Sequence, residues 1–138
     1  MVSAYDELPR TPANFVALSP LRYLERAAYI YPHQDAIIHG HRHISWRETY
    51  QRCRQFASQL QKLGITKNDT VSVLLPNIPA MIEAHFAVPM TGAVLNTLNT
   101  RLDAKTIAFM LEHAETKVLL VDPEFTQVAT EALALIDQ

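Results

Sequence analysis

From Thr70 onward the chain alternates short, uninterrupted apolar runs with longer stretches of helical spacing. The runs are residues 71–75, 93–98 and 117–121; the helical stretches are 78–90, 104–114 and 123–136. A strand that is apolar at successive positions, rather than at every second one, has to bury both faces, as the strands of a helix-covered parallel sheet do. The order βαβαβα therefore predicts an α/β fold, with each strand–helix–strand unit returning the chain in the same direction. No internal repeat or low-complexity segment interrupts it.

The part before Thr70 is organised differently. The first eighteen residues hold Pro9 and Pro12 and no periodic apolar face, so 1–18 is expected to be an arm and 19–138 the domain. Ser19-Pro20 marks a helix start, Leu21, Leu24, Ala28 and Tyr31 share a face, and Pro32 ends the run. Residues 35–39 and 42–44 read as a hairpin turning at Gly40-His41. Ser45-Trp46-Arg47-Glu48 is a capping box, and Trp46, Tyr50, Cys53, Ala57 and Leu60 then form one stripe that closes at Gly64. The 78–90 helix is apolar or small on nearly every side, which predicts cover on a second face. That feature, and a chain that stops just after a helix, lead to the expectation that the domain is truncated at its C-terminal end.

With 138 residues the chain accommodates at most one compact domain, and 49% hydrophobic content suffices for a core without staples. A net charge of −2 with dispersed basic residues lacks the footprint of a nucleic-acid binder. The single cysteine, Cys53, has no disulfide partner, no run of about 18 apolar residues is present, and the opening residues are acidic. A soluble, cytoplasmic chain with no membrane span is expected.

Few residues carry chemistry. Gly40, Gly64 and Gly92 are too far apart for a phosphate-cradling loop. The junction Leu75-Pro76-Asn77-Ile78-Pro79 lacks amide donors at its prolines, so Asn77 is expected to cap the following helix rather than to help hold a phosphate. His39, His41 and His43 alternate, as side chains on one face of a strand do, but no Cys or carboxylate lies in the local run to complete a metal shell. His85 and His113 read as surface or interface residues, and Cys53 as a small core residue rather than a reactive thiol. No catalytic residue and no metal ligand is expected in this chain. Arg101 differs: in Leu98-Asn99-Thr100-Arg101-Leu102-Asp103 it follows a buried strand and precedes a helix capped by Asp103, at the carboxyl edge where open α/β sheets bind ligands. There its guanidinium can hold a phosphate, salt-bridge Asp103, or remain solvated.

Ile44-Ser45-Trp46-Arg47-Glu48-Thr49, Leu63-Gly64-Ile65, Asp69-Thr70-Val71, Leu75-Pro76-Asn77 with Pro79 and Glu83, Gly92-Ala93-Val94 and Leu98-Asn99-Thr100-Arg101-Leu102 resemble, in order and spacing, the N-terminal region of AMP-forming acyl-CoA synthetases. Residues 12–40 are most similar to the acyl-activating enzymes for short- and medium-chain acids. The resemblance implies the βαβαβ parallel-sheet portion of the large N-terminal domain of an ATP- and CoA-using, Mg2+-dependent acid:CoA ligase. It implies as partners the remainder of the same enzyme and a small carboxylic acid, with homo-oligomerisation left open. The family's phosphate loop, ribose-binding Asp and catalytic Lys lie beyond residue 138, so the chain alone is expected to be inactive and to bind no cofactor. In some relatives the Arg of an Asn-Pro-Arg-Leu segment contacts CoA phosphates. Arg101 holds the matching position, with Thr100 where many relatives carry Pro. Two other readings stand beside this one: a different adenylating enzyme acting on aryl or amino acids, and a stand-alone interaction module using the exposed side of the 78–90 helix.

Overall fold

The computed structural model of the protein describes residues 9–136. Ser19 opens α1 (Pro20–Ile30), its hydroxyl accepting from the Leu21 amide at 3.3 Å. β1 (Asp35–His39) and β2 (Arg42–Ser45) form an antiparallel hairpin turned at Gly40, whose φ of +60° suits glycine. Ser45 then caps α2 (Trp46–Lys62) by accepting from the Glu48 amide at 3.2 Å, and the stripe buries Cys53, Ala57 and Leu60, with Trp46 and Tyr50 half-buried. The domain continues through β3 (Thr70–Leu74), α3 (Pro79–Met90), β4 (Val94–Thr97), α4 (Ala104–His113), β5 (Thr116–Val121), a 3-10 turn (Pro123–Phe125) and α5 (Thr126–Leu135). Of the arm, residues 9–18 are exposed, with a turn in which Asn14 accepts from the Thr11 amide; residues 1–8 lie outside the described residues.

β3 is the centre of a three-stranded parallel sheet ordered β4-β3-β5. The chain steps from β3 to β4 on one side, then crosses back past β3 to β5 on the other. Right-handed crossovers in opposite directions place their helices on opposite faces. The core is divided accordingly. Val71, Val73 and Leu75 face Leu60, Val88 and Ala84 of α2 and α3. Leu74 faces Ile107, Leu111, Ala129 and Ala132 of α4 and α5. Both faces of β3 are thus buried, as its unbroken apolar run requires.

α3 is a middle layer. One side meets the sheet; the other meets α2 and α1, where Ala87 packs with Leu24, Cys53 and Ala57. The second cover that its all-round apolar sequence demands therefore comes from within this chain, so that feature gives no support to truncation. It also removes the basis for an interaction module built on α3, since Ile82 is the large aliphatic residue that α3 leaves exposed. The turn after α3 depends on Gly92 at φ +81°, where an added Cβ would sit 3.3 Å from Lys67 side-chain carbons.

Candidate ligand crevice

The carboxyl ends of β3 and β4 stand side by side, and the loops leaving them enclose an open crevice of about 530 Å³. Leu75, Pro76, Met81 and Leu98 supply its apolar part; Asn77, His85, Thr97, Asn99 and Thr100 supply the polar part. None of these side chains except that of His85 can carry a charge near neutral pH.

Local chemistry shapes each wall. β4 extends its ladder one step when the Leu98 amide donates to the Val73 carbonyl at 2.9 Å, which buries Leu98. The chain then turns over 99–102: the Leu102 amide reaches the Asn99 carbonyl at 3.2 Å and the Arg101 amide reaches Asn99 Oδ1 at 2.9 Å. Asn99 thus fixes the turn through its own side chain. Thr100 occupies the second turn position, where proline is also favoured, and the turn forms with threonine there, closed by the Asn99 contacts. Asp103 ends the loop by capping α4, accepting from the Thr106 amide at 2.7 Å; that bond, with the Thr106 hydroxyl, holds its carboxyl below the usual range.

Arg101 lies on the exposed rim of this loop, next to but not among the residues that line the crevice. Asp103 is committed to its cap. Among the described residues the ion pairs are His43–Asp35 and Arg52–Glu83, so Arg101 forms no salt bridge with Asp103.

Two expectations from sequence are corrected here. Asn77 does not cap α3: Ile78 holds the N-cap position with no side-chain bond, and Asn77 is exposed in the crevice wall instead. Pro79 at the first helical position already has the required φ and has no amide to satisfy, so the cap contributes little. The histidines do not share a face. His43 pairs with Ile38 and His39 with Arg42 across the hairpin, so His39 and His43 project to opposite sides, and His43 Nδ1 meets Asp35 Oδ2 at 2.6 Å. The turn at Gly40-His41 breaks the alternation that a single strand would have had.

His85 reads as a surface residue in the sequence and is exposed, yet it lines the crevice four residues after Met81. The signal that could have found it is the i, i+4 spacing from Met81 on the first turns of a helix entered from a strand's carboxyl end. Among the described residues no group of three His, Cys, Asp or Glu side chains is placed to hold a metal ion. Among the same residues no helix is long and apolar enough to cross a membrane.

A parallel sheet wound in both directions defines the class, a doubly wound α/β domain, and its polar-edged crevice lies beyond the strand ends, where sheets of this class bind ligands. The chain belongs to the AMP-binding enzyme family, whose profile matches residues 24–138. It is 53% identical over 133 residues to an acetate–CoA ligase of Humulus lupulus, covering 96% of this chain and 23% of that protein. It is equally, 53%, identical over 131 residues to a peroxisomal trans-cinnamate:CoA ligase of Petunia hybrida, covering 95% and 23%. Its fold superposes on the N-terminal domain of FACL13 from Mycobacterium tuberculosis with a TM-score of 0.81 at 25% identity, covering 85% of this chain and 30% of that one. The chain spans about 23% of the length of the curated relatives it matches.

Proposed function

We propose that this chain is the N-terminal portion of an AMP-forming carboxylic acid:CoA ligase, with 1–18 as its arm and 19–138 as part of the large domain. The carboxylate would attack the α-phosphorus of ATP, expelling pyrophosphate and giving an acyl-adenylate. The CoA thiol would then attack the acyl carbon, expelling AMP. The observation that carries this reading is the 53% identity to an acetate–CoA ligase across 133 residues. Mg2+ would be held by residues outside the described part, and the 138 residues alone would show no turnover. A full-length protein should catalyse acid-dependent ATP–pyrophosphate exchange and, on addition of CoA, form a thioester. Exchange without thioester formation would assign it to another adenylating class.

A short- or medium-chain acid is the first expectation, since residues 12–40 resemble those enzymes. A cinnamate ligase is 53% identical over 131 residues, as high as the acetate ligase over 133, which favours a second reading in which an aryl acid is the substrate. Both readings leave the choice of acid to residues elsewhere. A cytoplasmic location is the expectation from sequence, whereas that relative is named peroxisomal; imaging the tagged full-length protein separates the two.

Arg101 is the residue of this portion proposed to touch a substrate, through the CoA phosphates. Its guanidinium is exposed, carries no internal ion pair among the described residues, and sits on a turn fixed by Asn99. Loss of a charge-assisted bond of this kind predicts that Arg101→Ala raises the KM for CoA by about tenfold with kcat little changed. Lys at 101 should restore only part, because it cannot form the paired bonds of a guanidinium. An unchanged KM in Arg101→Ala would remove Arg101 from the site.

A further inference from the structure

We infer that His85 reads the adenine ring of a nucleotide substrate, as an acceptor for the ring's 6-amino group; the inference rests on the ligase reading above. His85 Nδ1 lies 2.8 Å from the Met81 carbonyl oxygen. A carbonyl oxygen can only accept, so Nδ1 carries a proton in this contact, and the tautomer compatible with it leaves Nε2 as the acceptor. That bond ties the imidazole to the preceding turn of α3 and fixes its tautomer.

The surroundings select the ligand chemistry. His85 shares the crevice with Asn77, Thr97, Asn99 and Thr100, none of which carries a charge. A crevice so lined suits a neutral, flat group with polar edges better than it suits a phosphate. The cation lies immediately beyond, at Arg101 on the exposed rim. A neutral, amide-edged hollow of about 530 Å³ beside one free guanidinium matches a nucleotide: base in the hollow, phosphate at the rim. An acceptor at Nε2 distinguishes adenine, which offers an exocyclic amine, from rings that present an oxygen there. Either CoA or ATP could supply the adenine.

Etheno analogues, whose 6-amino nitrogen is locked into an added ring and donates nothing, test this directly. In the wild-type full-length ligase, one of etheno-CoA and etheno-ATP should show a KM about fivefold above its parent, the cost of a neutral hydrogen bond left unmade. In His85→Phe, the KM for the parent should rise to meet that of the analogue, so that the penalty vanishes while kcat and the melting temperature hold. His85→Gln, whose amide oxygen can accept, should keep part of the penalty. Collapse with etheno-CoA assigns the crevice to CoA; collapse with etheno-ATP assigns it to ATP; both support the inference. An active, CoA-dependent ligase whose etheno penalties are the same in wild type and both variants overturns it and leaves the ligase reading intact. A protein that forms no thioester with any acid overturns both.

Discussion

Replacing Arg52 by Leu should lower the stability of the protein by about 3 kcal/mol and its melting temperature by about 10 °C. Arg52 on α2 holds Glu83 on α3 through two bonds, Nε to Oε1 at 2.5 Å and Nη2 to Oε2 at 3.1 Å. The Glu83 side chain is 7% exposed and that of Arg52 36%. Removing the arginine therefore strands a buried carboxylate, while the partly solvated guanidinium keeps the cost at the lower end of the range for buried pairs. Lys at 52 should recover only part, lacking the fork. The double variant Arg52→Leu/Glu83→Leu should recover most of the loss, because two apolar side chains need no partner. Urea unfolding of the three variants measures this; an Arg52→Leu midpoint equal to that of wild type would show that the pair contributes nothing.

Raising the pH should destabilise the protein through one thiol. Cys53 is fully buried between α1, α2 and α3, and burial, followed by the nearby Glu83 charge, pushes its pKa from 9.0 up to about 12. Because the folded state disfavours the thiolate, the contribution of this group is complete below pH 9 and is lost as the pH rises from 9 towards 12. In that window stability should fall by about 1.4 kcal/mol per pH unit from Cys53 alone. Cys53→Ala keeps a small apolar side chain and should flatten that part of the profile. The same burial predicts that alkylating reagents label the native thiol only through unfolding. Equal pH profiles for Cys53→Ala and wild type, or rapid labelling of the folded protein at neutral pH, would contradict the burial argument.

Elements with a periodic or capped sequence were legible. The Ser45 cap and the Cys53–Ala57–Leu60 stripe form α2 as their spacing requires, and the unbroken run at 71–75 is the central strand. Strand order was not legible, since β4-β3-β5 depends on which way each crossover turns and not on any single segment. The Arg52–Glu83 pair spans 31 residues and joins two helices whose contact is set by the sheet beneath them. Asn77 was misread because its type favours capping, whereas the proline two residues later makes a cap unnecessary. That His85 lines the crevice was not legible for a related reason: a histidine exposed on a helix borders a hollow only when two strand ends build one beside it.

The ligase reading makes a commitment about one bond. If the carboxylate attacks the α-phosphorus, an acid labelled with heavy oxygen must leave one labelled atom on AMP when the CoA thiol takes the acyl group. Mass analysis of the nucleotide formed by the full-length protein with labelled acetate, butanoate or cinnamate, ATP and CoA reads that atom. The proposal predicts AMP carrying a single heavy oxygen and an equal yield of thioester. Label in inorganic phosphate with ADP as the nucleotide, or no labelled nucleotide with any acid, would contradict it.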